Sequence, residues 1–302
     1  MIRPPYLKEG DTVAIVSTAR KVSKFEIKPA IDLLKSWGLE VQTGKNLYKE
    51  ENQFAGNDED RTGDLQRALN NKNVQAVLFA RGGYGTVRVI DQIDWKKFTK
   101  QPKWLIGYSD ITVVHSHVHK TCLVQTMHAP MSLNLPKLNA PCLQVFKETL
   151  FGKPLRYSSS KQLPQLEKLN RKGKAKGRLI GGNLSILYSL SATPSDIDTT
   201  GKILFLEDLD EYLYHIDRMM MNLKRSGKLK DLAGLIVGGM SEMKDNPIPF
   251  GKTAEEIILD AVKEYNYPVC FNFPCGHIDR NLAVVLGKKM TLNITDKNSS
   301  LN

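Results

Sequence analysis

The chain has only four cysteines among its 302 residues, and none of them forms a Cys-x-x-Cys pair. A zinc site or a thioredoxin-like redox site is therefore not expected. Cys122 and Cys270 lie in apolar runs and are interpreted as buried thiols. The sequence also lacks an apolar run near the ~20 residues of a membrane-spanning helix, and it shows no apolar leader at Met-Ile-Arg-Pro-Pro. We therefore expect a cytoplasmic protein without a membrane partner.

Acidic residues are fewer than basic ones, and the balance of 32 Asp and Glu against 43 Lys and Arg gives a net charge of +11. Such an excess fits a nucleic acid, an anionic surface or an anionic substrate, and it also fits solubility alone. Much of the excess lies in one run, whose basic residues are Lys168, Arg171, Lys172, Lys174, Lys176 and Arg178. The run lacks the interleaved aromatic residues that stack on bases, so no nucleic-acid partner is expected.

Hydrophobic residues make up 41% of the chain, which is enough for a folded core. Apolar runs alternate with amphipathic helical patterns through the first half, and this order predicts an α/β fold with a doubly wound, mostly parallel sheet of the Rossmann or flavodoxin type. The pattern breaks around 151–177, where prolines, serines and basic residues indicate a linker. We expect a nucleophile-bearing domain over 1–150 and a smaller α/β domain over 178–302.

A serine follows an apolar run at Gly-Tyr-Ser-Asp, residues 107–110, and a helical pattern begins directly after it at Ile111. A strand, a tight turn and a helix in this order lift a serine hydroxyl out of the backbone and aim it into a cleft. The helix start behind Ser109 would also supply free N–H groups for a developing oxyanion. The alternative is structural, because Ser109 as a helix N-cap, with Asp110 in the first turn, would give the same pattern.

A second loop of interest is Arg-Gly-Gly-Tyr-Gly at residues 81–85, which follows the apolar run 74–80. In a doubly wound sheet, ligands bind beyond the carboxyl ends of the strands, and both this loop and Ser109 fall there. Glycine-rich loops after strands also bind phosphate. This loop lacks the Gly-Lys-Ser/Thr of a P-loop and the full Gly-x-Gly-x-x-Gly spacing, which weakens a nucleotide interpretation.

A serine nucleophile needs a base, and the base usually needs an orienting carboxylate. Among six histidines, His277 is the best placed, because it lies on the Gly-containing loop after the apolar run 269–273. Glu207 ends another apolar run, where a carboxylate is costly unless it is paired. The acidic segment 207–211 has two other interpretations: it caps the helix expected over 213–225, or it binds a divalent ion.

The other histidines carry weaker signals. His115 and His119 lie one helical turn apart, which suits a metal, but no carboxylate stands at ligand spacing nearby. Together with His117 they are interpreted as helix-surface or packing residues. His128 ends a predicted strand and could approach the cleft, whereas His215, beside charged neighbours, is typical of a solvated position.

Four motifs taken in order resemble the LD-carboxypeptidase family of serine peptidases, which comprises the murein tetrapeptide carboxypeptidases and the related microcin C immunity hydrolases. They are Arg-Gly-Gly-Tyr-Gly at 81–85, Gly-Tyr-Ser-Asp at 107–110, Leu-Glu-Asp at 206–208 and Gly-His at 276–277. The opening Pro-Pro-Tyr-Leu-Lys-Glu-Gly-Asp-Thr-Val-Ala and the Gly-Gly-Asn at 181–183 are also similar. One departure is Val285, where the family often has a proline, and it concerns the shape of the loop.

The resemblance implies a Ser-His-Glu triad of Ser109, His277 and Glu207, with the serine in the first domain and its partners in a swivelling second domain. It implies an oxyanion hole formed by the N–H groups of Gly83 and Asp110. It also implies a homodimer, and a reaction that needs no metal and no cofactor.

The family's reaction cuts the bond between an L-configured centre and a terminal D-amino acid, so the implied substrate is a murein-derived tetrapeptide ending in D-alanine. Arg81 and Arg280 flank the key loops and are candidates to bind the free carboxylate, although each also fits a structural ion pair. The alternative within the family is hydrolysis of a peptidyl or aminoacyl nucleotide. That branch stacks the base on an aromatic residue near the linker, and none of the three tryptophans, Trp37, Trp95 and Trp104, lies there. A basic nucleic-acid-binding module without catalysis is the alternative from another class.

Overall fold

The computed structural model describes residues 1–153, 156–158 and 164–302. Within them the α-helices are α1 (Lys24–Ser36), α2 (Asp58–Asn70), α3 (Thr86–Val89), α4 (Lys96–Lys100), α5 (Thr112–Thr121), α6 (Ala140–Leu150), α7 (Pro164–Glu167), α8 (Leu184–Ser189), α9 (Leu213–Arg225) and α10 (Ala254–Ala261). Short 3₁₀ helices span Ile90–Gln92, Ser109–Ile111 and Leu135–Lys137. The strands are β1 (Thr12–Val16), β2 (Glu40–Thr43), β3 (Val74–Phe79), β4 (Trp104–Gly107), β5 (Thr126–His128), β6 (Tyr157–Ser158), β7 (Gly173–Asn183), β8 (Ile203–Leu209), β9 (Gly234–Ser241), β10 (Val269–Cys270), β11 (Val284–Leu286), β12 (Lys289–Ile294) and β13 (Ser299–Leu301).

The first sheet has the strand order β11-β5-β4-β3-β1-β2. Strands β1 to β5 are parallel, and β11 pairs antiparallel with β5 at the edge. The order 2-1-3-4-5 is that of the flavodoxin-like doubly wound fold, so the fold predicted for the first half is confirmed. Its switch point lies between β1 and β3, and the loops that follow these two strands open a crevice there.

Helix α1 illustrates how local signals place the elements of this sheet. The Ser23 hydroxyl accepts the Glu26 N–H at 3.2 Å, and the Glu26 carboxylate accepts the Ser23 N–H at 2.8 Å, which forms a capping box. Ile27, Ala30 and Leu34 share one face at helical spacing and are fully buried. Their burial fixes the helix against the sheet.

The second sheet has the order β10-β9-β8-β7-β12-β13-β6. Strands β7 to β10 are parallel, and β12, β13 and β6 are antiparallel. A separate apolar core, built from this sheet and from helices α8, α9 and α10, confirms a second α/β unit. Among the described residues, no helix combines the length and apolar character needed to cross a membrane.

Half of the basic run, Lys174, Lys176 and Arg178, lies in strand β7. Lys174 and Lys176 are exposed, and they alternate with the buried Ala175 and Gly177. The inward positions are filled by two small residues, which hide the alternation of a strand in the sequence. The linker interpretation is therefore wrong for residues 173–177. Residues 154–155 and 159–163 of the predicted linker lie outside the described residues.

The chain returns from the second sheet to the first near its end. After β10 it runs through the segment 271–283 and then pairs Val284 with His128 and Leu286 with Thr126, as strand β11. Val285, the departure from the family pattern, lies in this strand opposite Met127. The segment 271–283, which carries His277, is therefore held by one sheet at its start and by the other at its end.

Candidate active site

Ser109 lies at the turn between strand β4 and helix α5. Its φ is +62°, a left-handed backbone conformation that is uncommon and strained for a residue with a side chain. It begins the 3₁₀ helix Ser109–Ile111, whose cap position is held by Tyr108, and neither this helix nor α5 has a side-chain cap. The N-cap alternative for Ser109 is therefore wrong, and the turn has the strained geometry expected of a nucleophile elbow.

The side chain of Asp110 connects the serine turn to the glycine-rich loop. It is buried, which raises its pKa, and its Oδ2 accepts the Thr86 N–H at 2.9 Å. The buried Arg61 supports the same loop from the other side, because its Nη1 donates to Gly85 O at 3.1 Å and to Thr18 O at 2.7 Å. These contacts fix the two backbone segments relative to each other. No sequence pattern distinguishes Arg61, which lies within helix α2.

Gly83 presents its backbone to the same space as Ser109. Its φ is +107°, and a Cβ there would lie 2.7 Å from Cδ of Arg20, so only glycine fits without displacing that side chain. Its N–H has no hydrogen-bond partner among the described residues. A free N–H beside a serine suits an oxyanion donor. The assignment of Gly83 and Asp110 as the donors stays a prediction.

His277 and Glu207 form a buried pair. The Nδ1 of His277 lies 2.7 Å from Oε2 of Glu207, and that oxygen also accepts the His277 backbone N–H at 3.2 Å. Glu207 is fully buried. Gly276, at a φ of +112°, allows this approach, because a Cβ there would lie 2.8 Å from the same carboxylate oxygen. This contact orients the ring through Nδ1. The second ring nitrogen, Nε2, takes no part in it.

Glu207 lies at an irregularity of strand β8. The register of β8 with β9 shifts between Leu206 and Asp208, where Glu207 alone lies opposite two residues of β9, Gly238 and Gly239, so that β9 carries the bulge. Bulges redirect side chains and are common next to active sites. The following residue, Asp208, accepts hydrogen bonds at 2.8 Å from Nδ2 of Asn183 and from the Ser185 N–H. Burial, and then the charge of Glu207, raise the pKa of Asp208 to about 7.

Several of these residues border one cleft of about 540 Å³, which we call the central cleft, whereas Glu207 is buried behind His277 and does not line it. Ser109, Gly83 and Arg81 line it from the first half of the chain, and His277 lines it from the second. The ring of Tyr108, next to the serine, lies 4.7 Å from the His277 ring, so the two sides are in contact.

Arg280 is not among the residues that line the central cleft. It borders a neighbouring cavity of about 800 Å³, and His277 lies on the border of both spaces. The structure therefore brings Arg81 to the serine and does not bring Arg280 there. It also places in the cleft Arg20, Asp208 and Asn183, which the sequence analysis did not select as site residues.

The pKa of His277 is set by two opposing effects. Burial lowers it, while the charge of Glu207 and the hydrogen bond to it raise it, and the net result lies above the usual value of 6.5. An imidazole must be neutral to accept a proton, so a base with a raised pKa loses activity as the pH falls through that pKa.

We expect the acid limb of the kcat/KM profile to have its midpoint above pH 6.5. Glu207→Gln should move the midpoint down, because burial then acts without the carboxylate. The measurement is kcat/KM against pH for both proteins. Asp208→Asn is the control, since Asp208 also lines the cleft and its pKa is raised to about 7. A limb that disappears in Asp208→Asn and stays in Glu207→Gln would assign the titration to Asp208.

The histidines of α5 pack inside the protein, as one of their two interpretations held. All three are buried, and one ring nitrogen of each makes a hydrogen bond. The contacts are His115 Nε2 with Gly107 O at 2.9 Å, His117 Nδ1 with Ser195 Oγ at 2.9 Å, and His119 Nε2 with Thr126 Oγ1 at 3.1 Å. Burial lowers the pKa of His115 to about 4 and that of His119 to about 3, so both rings are neutral.

The remaining two histidines do not line the central cleft. His128 is fully buried, with its ring against Tyr108 and Phe205. His215 is half-buried and its Nδ1 lies 2.6 Å from Oε2 of Glu211, so it is paired as well as partly solvated. In the part of the chain that the structure describes, no group of three His, Cys, Asp or Glu side chains could hold a metal ion.

Comparison with known proteins matches two family models to the chain: the LD-carboxypeptidase N-terminal domain over residues 13–129 and the LD-carboxypeptidase C-terminal domain over residues 176–292. A probable murein peptide carboxypeptidase of Bacillus subtilis is 36% identical to this chain, in an alignment that covers 98% of this chain and 92% of the relative.

Solved structures give the same result. The crystal structure of a muramoyltetrapeptide carboxypeptidase from Oxalobacter formigenes is 30% identical and has a TM-score of 0.84 over 96% of this chain and 97% of that one. The microcin C7 self immunity protein MccF, in complex with aspartyl sulfamoyl adenosine, has a TM-score of 0.86 over 100% and 98% of the two chains. It is only 20% identical, so this likeness concerns the fold.

Proposed function

Because the chain belongs to the LD-carboxypeptidase family, whose members are serine peptidases, we propose that it removes the terminal D-alanine from murein tetrapeptide. One observation carries the proposal. Ser109, held in a left-handed turn, borders the same cleft as His277, and the ring of His277 is oriented by the buried Glu207. This is the arrangement that a serine hydrolase needs, with a nucleophile, a base and an orienting carboxylate.

In the proposed reaction, Oγ of Ser109 attacks the carbonyl carbon of the bond to D-alanine. Nε2 of His277 takes the hydroxyl proton, and Glu207 stabilises the imidazolium that forms. The proton then passes to the nitrogen of the departing D-alanine, and an acyl-enzyme remains on Ser109. Water gives a proton to Nε2 of His277 and attacks the acyl carbon. The ester bond to Oγ of Ser109 then breaks, Oγ takes the proton back from His277, and the tripeptide leaves with a free carboxylate.

The oxyanion of each tetrahedral intermediate is proposed to be stabilised by the N–H groups of Gly83 and Asp110. The contacts of Asp110 with Thr86, and of Arg61 with Gly85, support this assignment because they hold both segments in place before substrate binds. Donors that are fixed in advance need no reorganisation in the transition state.

The composition of the central cleft favours a peptide over a nucleotide conjugate. Among the described residues, none of the three tryptophans lines it: Trp37 and Trp104 are buried, and Trp95 packs on Phe98. Tyr108 does line the cleft, but it is buried and its ring packs on that of His277. A base would therefore lack an indole or an exposed aromatic ring on which to stack. Hydrolysis of a peptidyl or aminoacyl nucleotide remains the second candidate within the family. The basic residues of β7 offer no aromatic platform, which weighs against a nucleic-acid module.

Three peptides test the proposal. The tetrapeptide ending in D-alanine should be cleaved well, and its C-terminal amide far more slowly. The carboxylate is bound by a cation or by N–H groups, and with the amide these groups have no charged partner. The loss of binding free energy is about 1.5–3 kcal/mol, which lowers the cleavage rate roughly 10- to 150-fold. The pentapeptide ending in D-alanyl-D-alanine should be a poor substrate, because its scissile bond joins two D-centres. Released D-alanine is measured for each peptide.

Equal rates on the acid and the amide would show that the protein is not a carboxypeptidase, even with Ser109 as its nucleophile. Absence of any D-alanine release, with cleavage of an aminoacyl sulfamoyl or phosphoramidate nucleotide, would favour the second candidate.

The resemblance to the family also supports a cytoplasmic homodimer. Size-exclusion chromatography with light scattering should give twice the chain mass of 33.9 kDa. Fractionation of the source cells would test the compartment.

A further inference from the structure

The central cleft is electrostatically divided. Two arginines, Arg20 and Arg81, line it from the loops after strands β1 and β3, at the switch point of the first sheet. Three acidic residues, Asp208, Asp210 and Glu211, line it from the end of strand β8 in the second sheet. Asp110 also lines the cleft on the arginine side, but its carboxyl group is buried and accepts the Thr86 N–H. A peptide bound between the sheets therefore meets two arginines on one side and three acidic residues on the other.

Arg20 is the free cation of this cleft. It is exposed, and within the described part of the chain its guanidinium has neither an ion pair nor a hydrogen bond. Its stem lies against Gly83, since a Cβ on Gly83 would be 2.7 Å from both Cδ and Nε of Arg20. Nε of the guanidinium thus lies close to Gly83, which lines the same cleft as Ser109.

The two other candidate arginines are placed differently. Arg81 is half-buried and its Nη1 is directed to the Lys21 carbonyl at 3.5 Å, so part of its donor capacity faces the protein. Arg280 borders the neighbouring cavity. Arg81 belongs to the glycine-rich loop but is neither exposed nor free of partners, and Arg280 lies away from the loop.

The acidic side of the cleft offers no cation to a substrate carboxylate. Asp208 accepts hydrogen bonds from Asn183 and Ser185, and Asp210 pairs with Lys244. Among the described residues that line the cleft, the arginines lie on the opposite side, so the terminal carboxylate of the substrate has its place there.

We propose that Arg20 binds the free C-terminal carboxylate of the substrate and thereby determines that the enzyme acts as a carboxypeptidase. The inference rests on the proposed function. The carboxylate of the last residue lies one residue beyond the scissile carbonyl. If that carbonyl oxygen faces the Gly83 N–H, the carboxylate reaches the guanidinium that lies over Gly83. Arg20 is a specificity residue in this scheme and takes no part in bond breaking.

The test compares Arg20→Met, Arg20→Lys and wild type on the tetrapeptide acid and on its C-terminal amide. Arg20→Met should lower kcat/KM for the acid by roughly 10- to 150-fold and leave that for the amide nearly unchanged, so the preference for the acid is lost. Arg20→Lys should keep part of the preference, because the charge remains and the bidentate geometry does not. Activity on the amide also shows that each variant is folded.

Lys21→Met is the matched control. Lys21 is the next residue, carries the same charge and pairs with Glu50 at 2.7 Å, and it does not line the central cleft. This variant should keep the wild-type preference. Arg81→Met tests the alternative that Arg81 binds the carboxylate.

Each outcome is decisive. A preference that stays intact in Arg20→Met overturns the inference, and so does an equal loss on acid and amide, which would mean that Arg20 supports the loop. Loss of the preference only in Arg81→Met assigns the role to Arg81. If wild type releases no D-alanine from any peptide, the proposed function itself fails, and this inference fails with it.

Discussion

Ser109→Ala is expected to abolish release of D-alanine, with kcat reduced by about 10⁶ if the serine is the nucleophile. The protein should still fold, because the side chain makes no hydrogen bond within the described structure and is only half-buried. Turnover is measured with purified tetrapeptide, and stability by a thermal melt. A variant that keeps wild-type turnover would remove Ser109 from the mechanism.

Ser109→Gly is a useful companion variant. It lacks the same hydroxyl, but glycine adopts the φ of +62° without strain, whereas alanine does not. Both variants should be inactive, and the glycine variant should be the more stable of the two by about 1 kcal/mol. If alanine proved as stable as glycine, the turn would not be strained.

The second large effect is expected from His277 and Glu207, the pair proposed to activate the serine. His277→Ala and Glu207→Gln should each lower turnover by about a thousandfold or more. In the glutamine variant the amide keeps the size of the side chain and loses the charge that stabilises the imidazolium. Combined with Ser109→Ala, neither change should reduce the remaining rate much further, because the three residues act as one unit. A much slower double variant would contradict the triad.

His215→Ala provides the control for this experiment. His215 also pairs through Nδ1 with a carboxylate, that of Glu211, at 2.6 Å, but it does not line the central cleft. Removing it should change turnover by no more than a few-fold. A loss comparable to that of His277→Ala would show that the assay reports general destabilisation.

The sequence predicts the first sheet well because its signals are local. Alternation of apolar runs with amphipathic helices defines a parallel sheet, and the strand order then places Ser109 and the glycine-rich loop at the same edge. Pairing of Glu207 with His277 was expected from the resemblance to the family, since these residues are 70 positions apart and no local pattern links them.

Other features have no sequence pattern of their own. Arg20 is an exposed arginine in a loop, and only the approach of Gly83 to its stem distinguishes it from other surface cations. The strand at 173–177 was hidden because its inward positions are small residues. Strand β11 has only three residues, too few for a recognisable period, and its partner lies 156 positions earlier in one of the pairs.

Strand β11 affects the order in which the enzyme can be completed during synthesis. The first sheet keeps an open edge at β5 until Val284 to Leu286 have been synthesised, 156 or more residues after their partners. At the usual ~5–20 residues per second, that interval lasts roughly ten to thirty seconds. His277 is synthesised shortly before β11. For that time the nascent protein holds the strained turn of Ser109 beside a sheet whose edge is unpaired, and an unpaired edge is a surface to which another strand can bind.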